Sequence, residues 1–331
     1  MIKVEKYENI NQQQWRALIE CSPHATWFQT PEAYDLYNSV PGMKAFAYGV
    51  RRDDDLQIVA VGYITQEKNP IKQFFTSRAI IVGGPVIDKN AYPTCITALF
   101  QELNQELKEA IYVETRNFSD YSTWRENIEY GTGFRYQPHY DIHVHCNDTH
   151  NISRRRQREL KQAITNGAIV CEAQSEQEVR EWYQILHRLY REKVRTPLFS
   201  EEFFLQFYRN GVGKYLLVKH DNKVIGGMMC PVLDGKAIYE WYVCGLDEEY
   251  RDLSPSVVAT HAAIEYAKAN GLPLFDFMGA GVPDQPYGVR DFKMEFGGEL
   301  VEHGRFLCIR KPLLYKLGKW GVKWLKNSEN N

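Results

Sequence analysis

The sequence predicts a mixed α/β (α+β) protein built from two similarly ordered domains, each a mixed sheet flanked by helices. Three observations carry this. Residues 237–278 read strand, polar loop, helix, strand: 237–244 is rich in aromatic and β-branched residues, Ser254 and Pro255 open a helix that Asn270-Gly271 closes, and 274–278 is a short apolar run. A helix between two parallel strands is a crossover unit, and ligands bind where such strands end. The span 1–150 already forms a complete α/β unit of hairpin, strand, helix, strand, helix and strand, and the remainder repeats this order in outline without an alignable residue repeat. Finally, 331 residues are long for one core and comfortable for two domains.

In chain order, Trp15, Leu18 and Ile19 have helical spacing, and the aromatic segment Thr26-Trp-Phe-Gln-Thr-Pro31 leads into a helix over 32–37. Two strands, 44–51 and 57–66, pair around the polar turn Arg52-Asp-Asp-Asp55. Strand region 74–87 is interrupted by Gly83-Gly84-Pro85, where the backbone must bend or approach something closely, and Asp88 follows it. Ile96, Leu99, Phe100, Leu103 and Leu107 mark an amphipathic helix over 91–110, before a strand at 111–115, a helix at 121–130 and a long strand at 134–146. The polar break 147–153 is the expected boundary. Beyond it come a helix from Arg154 capped by Ser153, a strand at 168–173, helices at 175–193 and 200–210, and a hairpin of 214–220 with 223–233. After the 237–278 stretch, 300–309 reads as a strand and 312–326 as a helix.

Composition narrows the function. With 44% hydrophobic and 25% charged residues the chain is that of an ordinary globular protein, and no apolar window reaches membrane-span length. The N-terminus lacks the apolar core of a signal peptide, so a cytoplasmic location is expected. Seven scattered cysteines without a Cys-x-x-Cys pair read as reduced thiols, not a disulfide framework or zinc site. His139, His143, His145 and His150 invite a metal reading, with 143 and 145 on one strand face, but lack a recognisable ligand spacing; no metal is expected. A net charge of −2 means that any nucleic-acid partner needs a local basic patch. Arg154, Arg158 and Lys161 share a helical face with Arg155 and Arg156 alongside, and read either as a phosphate-binding patch or as a solvated charged helix. On the last helix Leu313, Leu317, Trp320 and Trp324 fall on one face and Lys316, Lys319, Lys323 and Lys326 mostly on the other. This is either a basic amphipathic helix touching an anionic membrane surface, or one whose Leu and Trp dock on the first domain.

The strand, loop and helix over 237–270 resemble the place where acyl-CoA-dependent acetyltransferases of the GNAT fold hold pyrophosphate on successive backbone N–H groups. The corresponding turn here, Arg251-Asp-Leu-Ser-Pro-Ser256, has no glycine at either glycine position, and Pro255 has no N–H to donate, so CoA is not inferred. Tyr250-Arg-Asp-Leu-Ser-Pro255, Tyr266-Ala-Lys-Ala-Asn-Gly271, Phe275-Asp-Phe-Met-Gly279 and Gly288-Val-Arg-Asp-Phe-Lys-Met-Glu-Phe-Gly-Gly298 resemble the C-terminal signature of the Fem (FemABX) peptidyltransferases. Trp27-Phe-Gln-Thr-Pro31, Gly84-Pro-Val-Ile-Asp88 and the helix from Arg154 resemble that family's upstream motifs, so the resemblance covers most of the chain, in order.

The resemblance implies two tandem GNAT-like domains, 1–150 completed by 300–331 and 151–299. It implies transfer of an aminoacyl group from charged tRNA to an amine of a peptidoglycan-precursor stem peptide, by a monomer, without a cofactor. Lys293 matches the family lysine with an electrophilic role; the plainer reading is a solvated surface lysine. Asp88 matches an acidic position near the acceptor, where it would take a proton, or it caps the following turn. Gly84, in the same upstream motif, is a further substrate-binding candidate. Tyr242 and Tyr239 are candidates to hydrogen-bond substrate, with one of the two expected in the core, and Phe292 would support Lys293 or fill space. A diphosphate-bearing acceptor calls for cations, and Arg191, Lys193 and Arg195 near a helix end are candidates, unless they serve only the helix dipole. For tRNA, Arg154, Arg155, Arg158 and Lys161 are the candidates. One departure is that Glu32-Ala-Tyr-Asp-Leu-Tyr37 lacks the basic residue the family has there. Rival readings are an acyl-CoA- or carrier-dependent N-acyltransferase on a cell-envelope sugar or peptide, and a non-catalytic binder on the same fold.

Overall fold

The structure, a computed structural model, describes residues 1–147 and 152–327, with side chains through residue 320. The chain divides into two units, one of residues 1–138 with 303–331 and one of residues 139–302. In the first, β1 (Ile2–Lys6), α1 (Gln12–Cys21) and α2 (Pro31–Ser39) precede the long hairpin of β2 (Met43–Arg52) and β3 (Asp55–Thr65). Then come α3 (Pro70–Thr76), β4 (Ala79–Gly83), β5 (Val86–Ile87), α4 (Pro93–Glu106), β6 (Tyr112–Asn117), α5 (Arg125–Glu129) and β7 (Arg135–Gln137). The stripe foreseen on α4 is all buried, packing Ile96, Leu99, Phe100 and Leu103 on Val50, Ile58, Ile81 and Val113 of the sheet. The helix α3 was not foreseen: Asn69 caps it with its side chain and Pro70 opens it, inside a stretch whose Phe74 and Phe75 had read as strand.

The upstream motifs meet at the Gly83-Gly84 bend. The Gln29 side-chain amide donates to the carbonyls of Gly83 (3.1 Å) and Gly84 (3.0 Å), and the Tyr121 hydroxyl, with one proton to donate, lies 2.7 Å from the Pro85 carbonyl and 3.1 Å from that of Gly83. Both glycines have positive φ, and a Cβ on Gly84 would stand 2.6 Å from Tyr121 Oη. The close approach required at Gly84 is therefore to the protein's own tyrosine.

The second unit runs β8 (Tyr140–His145), α6 (Arg154–Thr165), β9 (Ile169–Glu172), α7 (Glu176–Leu189), α8 (Glu201–Arg209), β10 (Gly213–His220), β11 (Lys223–Leu233), β12 (Ala237–Tyr239), β13 (Tyr242–Gly245), α9 (Pro255–Ala269), β14 (Leu274–Asp276), α10 (Gly288–Met294) and β15 (Glu299–Glu302). Among the described residues its sheet has the order β15-β8-β14-β12-β11-β10-β9, with β13 on β11. Leu216, Val218, Ile225 and Met228 pack with Val257, Val258, Ile264 and Ala267 of α9. Tyr215, on the opposite face of β10, packs its ring against Trp182 and Phe207. The predicted crossover is present, since β12 pairs with β14 in parallel. The strand expected over 237–244 is broken at Glu240-Trp241, whose amides bond to Asp276 and to Met229 and Tyr239.

The chain then returns to the first unit as β16 (Arg305–Ile309) and α11 (Pro312–Asn327). β16 pairs antiparallel with both β6 and β7, giving the order β1-β2-β3-β4-β6-β16-β7, with β5 on β3. Two strands read as continuous are thus each divided between sheets. The 134–146 run breaks at Pro138, which has no N–H for a ladder, and the 300–309 run breaks at His303-Gly304, where Gly304 has φ +63. The units change at 138/139 and 302/303, not at 150 and 300. Most of the expected 147–153 boundary, with His150, lies outside the described residues.

Gly84→Ala should lower folding stability by about 2 kcal/mol, through strain at positive φ and collision with Tyr121. Urea denaturation checks this, and an unchanged midpoint would show that the bend is not constrained as described.

Candidate functional site

In the second unit, strand register sets Asp276 of β14 opposite His143 of β8 and beside Tyr239 of β12. Alternation along β8 puts Asp141 on the same face as His143. All these residues are buried, and His143 Nε2 lies 3.6 Å from Asp276 Oδ2. One Asp276 oxygen accepts from the Met278 amide (2.6 Å), and Asp141 Oδ1 accepts from the amides of Ile142 and Gly279 (both 2.7 Å). These carboxylates shape the segment after β14, where Met278 and Gly279 both have positive φ.

α10 grips the other side of that segment. Lys293 and Arg290, one turn apart, point to one face. The Lys293 ammonium donates to the carbonyls of Phe277 (2.7 Å) and Gly279 (2.9 Å) and pairs with Glu240 at 3.1 Å. Arg290 donates to the carbonyls of Ala280 (2.7 Å) and Val282 (2.5 Å). An ammonium has three N–H bonds, so those of Lys293 are matched by three partners. Its side chain is 11% exposed, which rules out a solvated surface lysine.

Burial and the charge of Asp276 push the Asp141 carboxyl well above the usual carboxylate range, and burial raises Glu240 despite the opposing Lys293 charge. Burial alone would hold His143 down, but the Asp276 carboxylate, with Asp141, lifts it to about 8. Asp141, His143 and Asp276 can each offer one ligand atom within 4.8 Å of the others. A dication there would displace the proton that burial favours on Asp141 and feel the Lys293 charge, so the group is better described as a charge network neutralised from within.

The turn 251–256 has a different electrostatic sign from a phosphate cradle. Ser254 precedes α9 with φ +40, and its hydroxyl bonds to Arg251 O instead of capping the helix. Asp247 takes over that capping: its Oδ1 accepts from both the amide (3.0 Å) and the hydroxyl (2.9 Å) of Ser256. The amides of Leu253 and Ser254 bond to Tyr250 O. With Pro255 lacking an N–H, the N–H groups from 253 to 256 are absent or used, and a carboxylate occupies the positive end of the helix. These residues do not fit a CoA pyrophosphate.

The other candidates fall as follows. Tyr239 is enclosed in the core at 2% exposure, so it is the member of the tyrosine pair that packs. Tyr242 is half-buried among Tyr190, Phe199, Phe204 and Trp241. Phe292 lies under the Arg156 guanidinium, 4.4 Å from ring centroid to Cζ, and its ring is tilted against that of Phe296. Arg156 is itself buried between Glu159 and Glu295, and exposed Arg155 pairs with the same two acids. Arg154, Arg158 and Lys161 stay exposed and form no ion pair among the described residues. Arg191 pairs with Glu192 and Lys193 with Glu248 on the surface, while Arg195 has φ +54 and donates to Glu192 O. These cations have acidic or carbonyl partners at the helix end. In the first unit the Asp88 carboxylate accepts from the Asn90 amide at 2.7 Å, the capping role.

The sequence reading passed over Asp141, Asp276, Glu240, Arg290 and Asp247. The first three carried a signal: acids within Tyr-Asp-Ile, Phe-Asp-Phe and Tyr-Glu-Trp, on strands otherwise apolar or aromatic.

Residues 147–294 match the family model of the acetyltransferase (GNAT) domain. No curated protein matches the chain. Among solved structures it is similar to FemX, with TM-score 0.70 and 17% identity over 95% of this chain and 99% of that one. It is also similar to L-PGS from Bacillus licheniformis (0.57, 13%, covering 91% and 92%) and to a tandem GNAT protein from the clavulanic acid biosynthesis pathway (0.55, 12%, covering 93% and 98%). The fold is therefore two GNAT-like domains in tandem, in keeping with the Fem resemblance, and the GNAT match supports an acyltransferase.

Two predictions test the charge network. Because His143 is raised from 6.5 to about 8, its stabilisation is complete below pH 6.5 and is lost as pH rises through about 8. Relative to wild type, His143→Gln should remove on the order of 1–2 kcal/mol of stability at pH 6 and much less at pH 9, read by urea denaturation at each pH. A difference independent of pH would refute the charged imidazole. Lys293→Met should cost about 3–5 kcal/mol by stranding Glu240, and adding Glu240→Gln should restore part of it; no rescue in thermal melts would mean the pair is not coupled.

Proposed function

We propose that this chain is an aminoacyltransferase of Fem type, moving an aminoacyl group from charged tRNA to an amine of a peptidoglycan-precursor stem peptide. The observation that carries the reading is the α9 N-terminus. It keeps the GNAT strand, loop and helix while placing the Asp247 carboxylate and Pro255 where a CoA-dependent enzyme needs open amides. A donor whose activated group is an ester on RNA needs no pyrophosphate cradle. The exposed trio Arg154, Arg158 and Lys161 on α6 supports such a donor, since their charges are not spent on acids among the described residues.

Aminolysis of the ester needs a proton acceptor for the attacking amine and a donor to the oxyanion. Lys293 is proposed in the second role. It is buried and held by two carbonyls, so it can serve the oxyanion only by exchanging a partner, Glu240 being the longest of the three contacts. Asp88 is proposed as proton acceptor, and Asp88→Asn separates this from capping: an amide still accepts from Asn90 but cannot take the proton.

The deciding assay combines purified protein, mixed charged tRNAs and cell-wall precursors, with mass spectrometry of the products. An added aminoacyl mass that disappears with Arg154→Glu/Arg158→Glu is expected; no added mass with any precursor refutes the reading. Acetyl-CoA calorimetry provides the second arm, where tight binding abolished by enlarging Ser256 would favour the acyl-CoA alternative. For the lysine, Lys293→Met/Glu240→Gln should lose at least about 100-fold in kcat if the ammonium stabilises the oxyanion. Turnover preserved in that double variant assigns Lys293 to holding the backbone alone.

A further inference from the structure

We infer that the face of the first unit formed by α3 and α11 is a docking surface for an anionic lipid bilayer, which the chain touches without crossing. Leu313, Leu317 and Trp320 recur one helical turn apart on α11, and each is more than half exposed; so are Ile71, Phe74 and Phe75 on α3. The expectation that Leu313, Leu317 and Trp320 pack on the first domain is not met. The first turn of α11 is fixed by a different side: the Tyr315 ring meets the Tyr112 ring edge-on at 5.4 Å, and Lys311 Nζ donates to Glu109 O at 2.7 Å. The outward stripe is thus a consequence of how the helix is anchored.

The two helices form one surface. The Lys311 ammonium sits 4.9 Å from the centre of the Phe74 ring. Ile111 links both: its amide bonds to Ser77 O at the end of α3, and its carbonyl accepts from Arg310 and Lys311 at the start of α11. Exposed aromatic and aliphatic groups on one patch exceed the scattered apolar residues of an ordinary surface.

Charge selects the occupant. From residue 310 to 327 the sequence has Arg310, Lys311, Lys316, Lys319, Lys323 and Lys326 and no acidic residue, in a chain whose net charge is −2. A second copy meeting this face through a two-fold axis would set like charges against each other, whereas a layer of phosphate headgroups satisfies them while its acyl region takes Leu and Trp. No helix among the described residues is long and apolar enough to cross a membrane, and a sixteen-residue amphipathic helix with lysines beside its apolar stripe suits the plane of the interface. The inference is independent of donor and acceptor chemistry.

Sedimentation of the full chain with vesicles tests it. Partition onto vesicles of phosphatidylglycerol and phosphatidylcholine in equal parts should exceed that onto phosphatidylcholine alone by about tenfold or more, and weaken as salt is raised. Leu317→Glu/Trp320→Glu should lose about tenfold, Lys316→Glu/Lys319→Glu should abolish the preference for anionic lipid, and Phe74→Ser/Phe75→Ser should weaken binding independently. All six positions are exposed, and circular dichroism verifies folding. The inference is overturned by equal partition onto both vesicle types, by unaltered binding of the Leu317/Trp320 variant, or by a wild-type dimer in sedimentation velocity that this variant dissolves while vesicle binding is absent.

Discussion

The second unit depends on one buried ammonium. Lys293 reaches from α10 to the carbonyls of Phe277 and Gly279, and the Asp276 and Asp141 carboxylates hold the amides of Met278 and Gly279 from the strand side. The segment after β14 passes through two residues at positive φ, between bonds from the Phe277 and Ala280 amides to the Ile142 and Tyr140 carbonyls of β8, so the groups in between take partners outside that ladder. A cation on one side and two acids on the other supply the missing partners. Glu240 then balances the cation, and it can do so because the strand breaks at Glu240-Trp241 and turns the carboxylate inward. The break, the acids and the lysine make a single unit, in which any one member buried alone would carry the desolvation cost of an unpaired charge.

A second constraint acts where α9 begins. Gly226 and Gly245 allow β11 and β13 to approach the helix start so closely that a Cβ on either would stand within about 3 Å of Pro255. The same closeness brings Asp247 over the Ser256 amide. One contact therefore has two effects: the carboxylate caps a fifteen-residue helix whose own first residues cannot, and it presents negative charge to anything approaching that terminus.

The elements were mostly readable from the sequence because local periodicity and caps report them. Trp15, Leu18 and Ile19, the α4 stripe, and the Ser-Pro start and Asn-Gly end of α9 all mark real structure. What could not be read was where a run of strand residues changes partners. Residues 134–146 and 300–309 each look continuous, since alternation does not state which sheet a residue joins; only Pro138 and Gly304 hint at the transfer. At the candidate site, the block around Lys293 was found by resemblance, but its burial was not, because Lys293 is the one buried residue of Gly288–Met294, whose other residues are exposed or half-buried. The acids around it come from β8 (Asp141), β14 (Asp276) and the break after β12 (Glu240), and their long-range approach leaves no local spacing to recognise. Asp247 escaped for a related reason: it caps from nine residues upstream, beyond the window in which capping motifs are sought.

The same change of partner explains why the end of the chain is structural in the first unit and not an appendage. β16 lies between β6 and β7, so without it β7 has no neighbouring strand among the described residues and the Phe306 ring is lost from the core it shares with Phe100 and Phe134. Arg305 on that strand also meets Glu114, which pairs in turn with Arg116. The start of α11 is held to Ile111 by two backbone bonds immediately after β16, which leaves its direction to the sheet instead of to its own apolar residues. A helix positioned from outside its apolar face is released from packing that face inward. Leu313, Leu317 and Trp320 can then stay at the surface because the fold does not need them in its core.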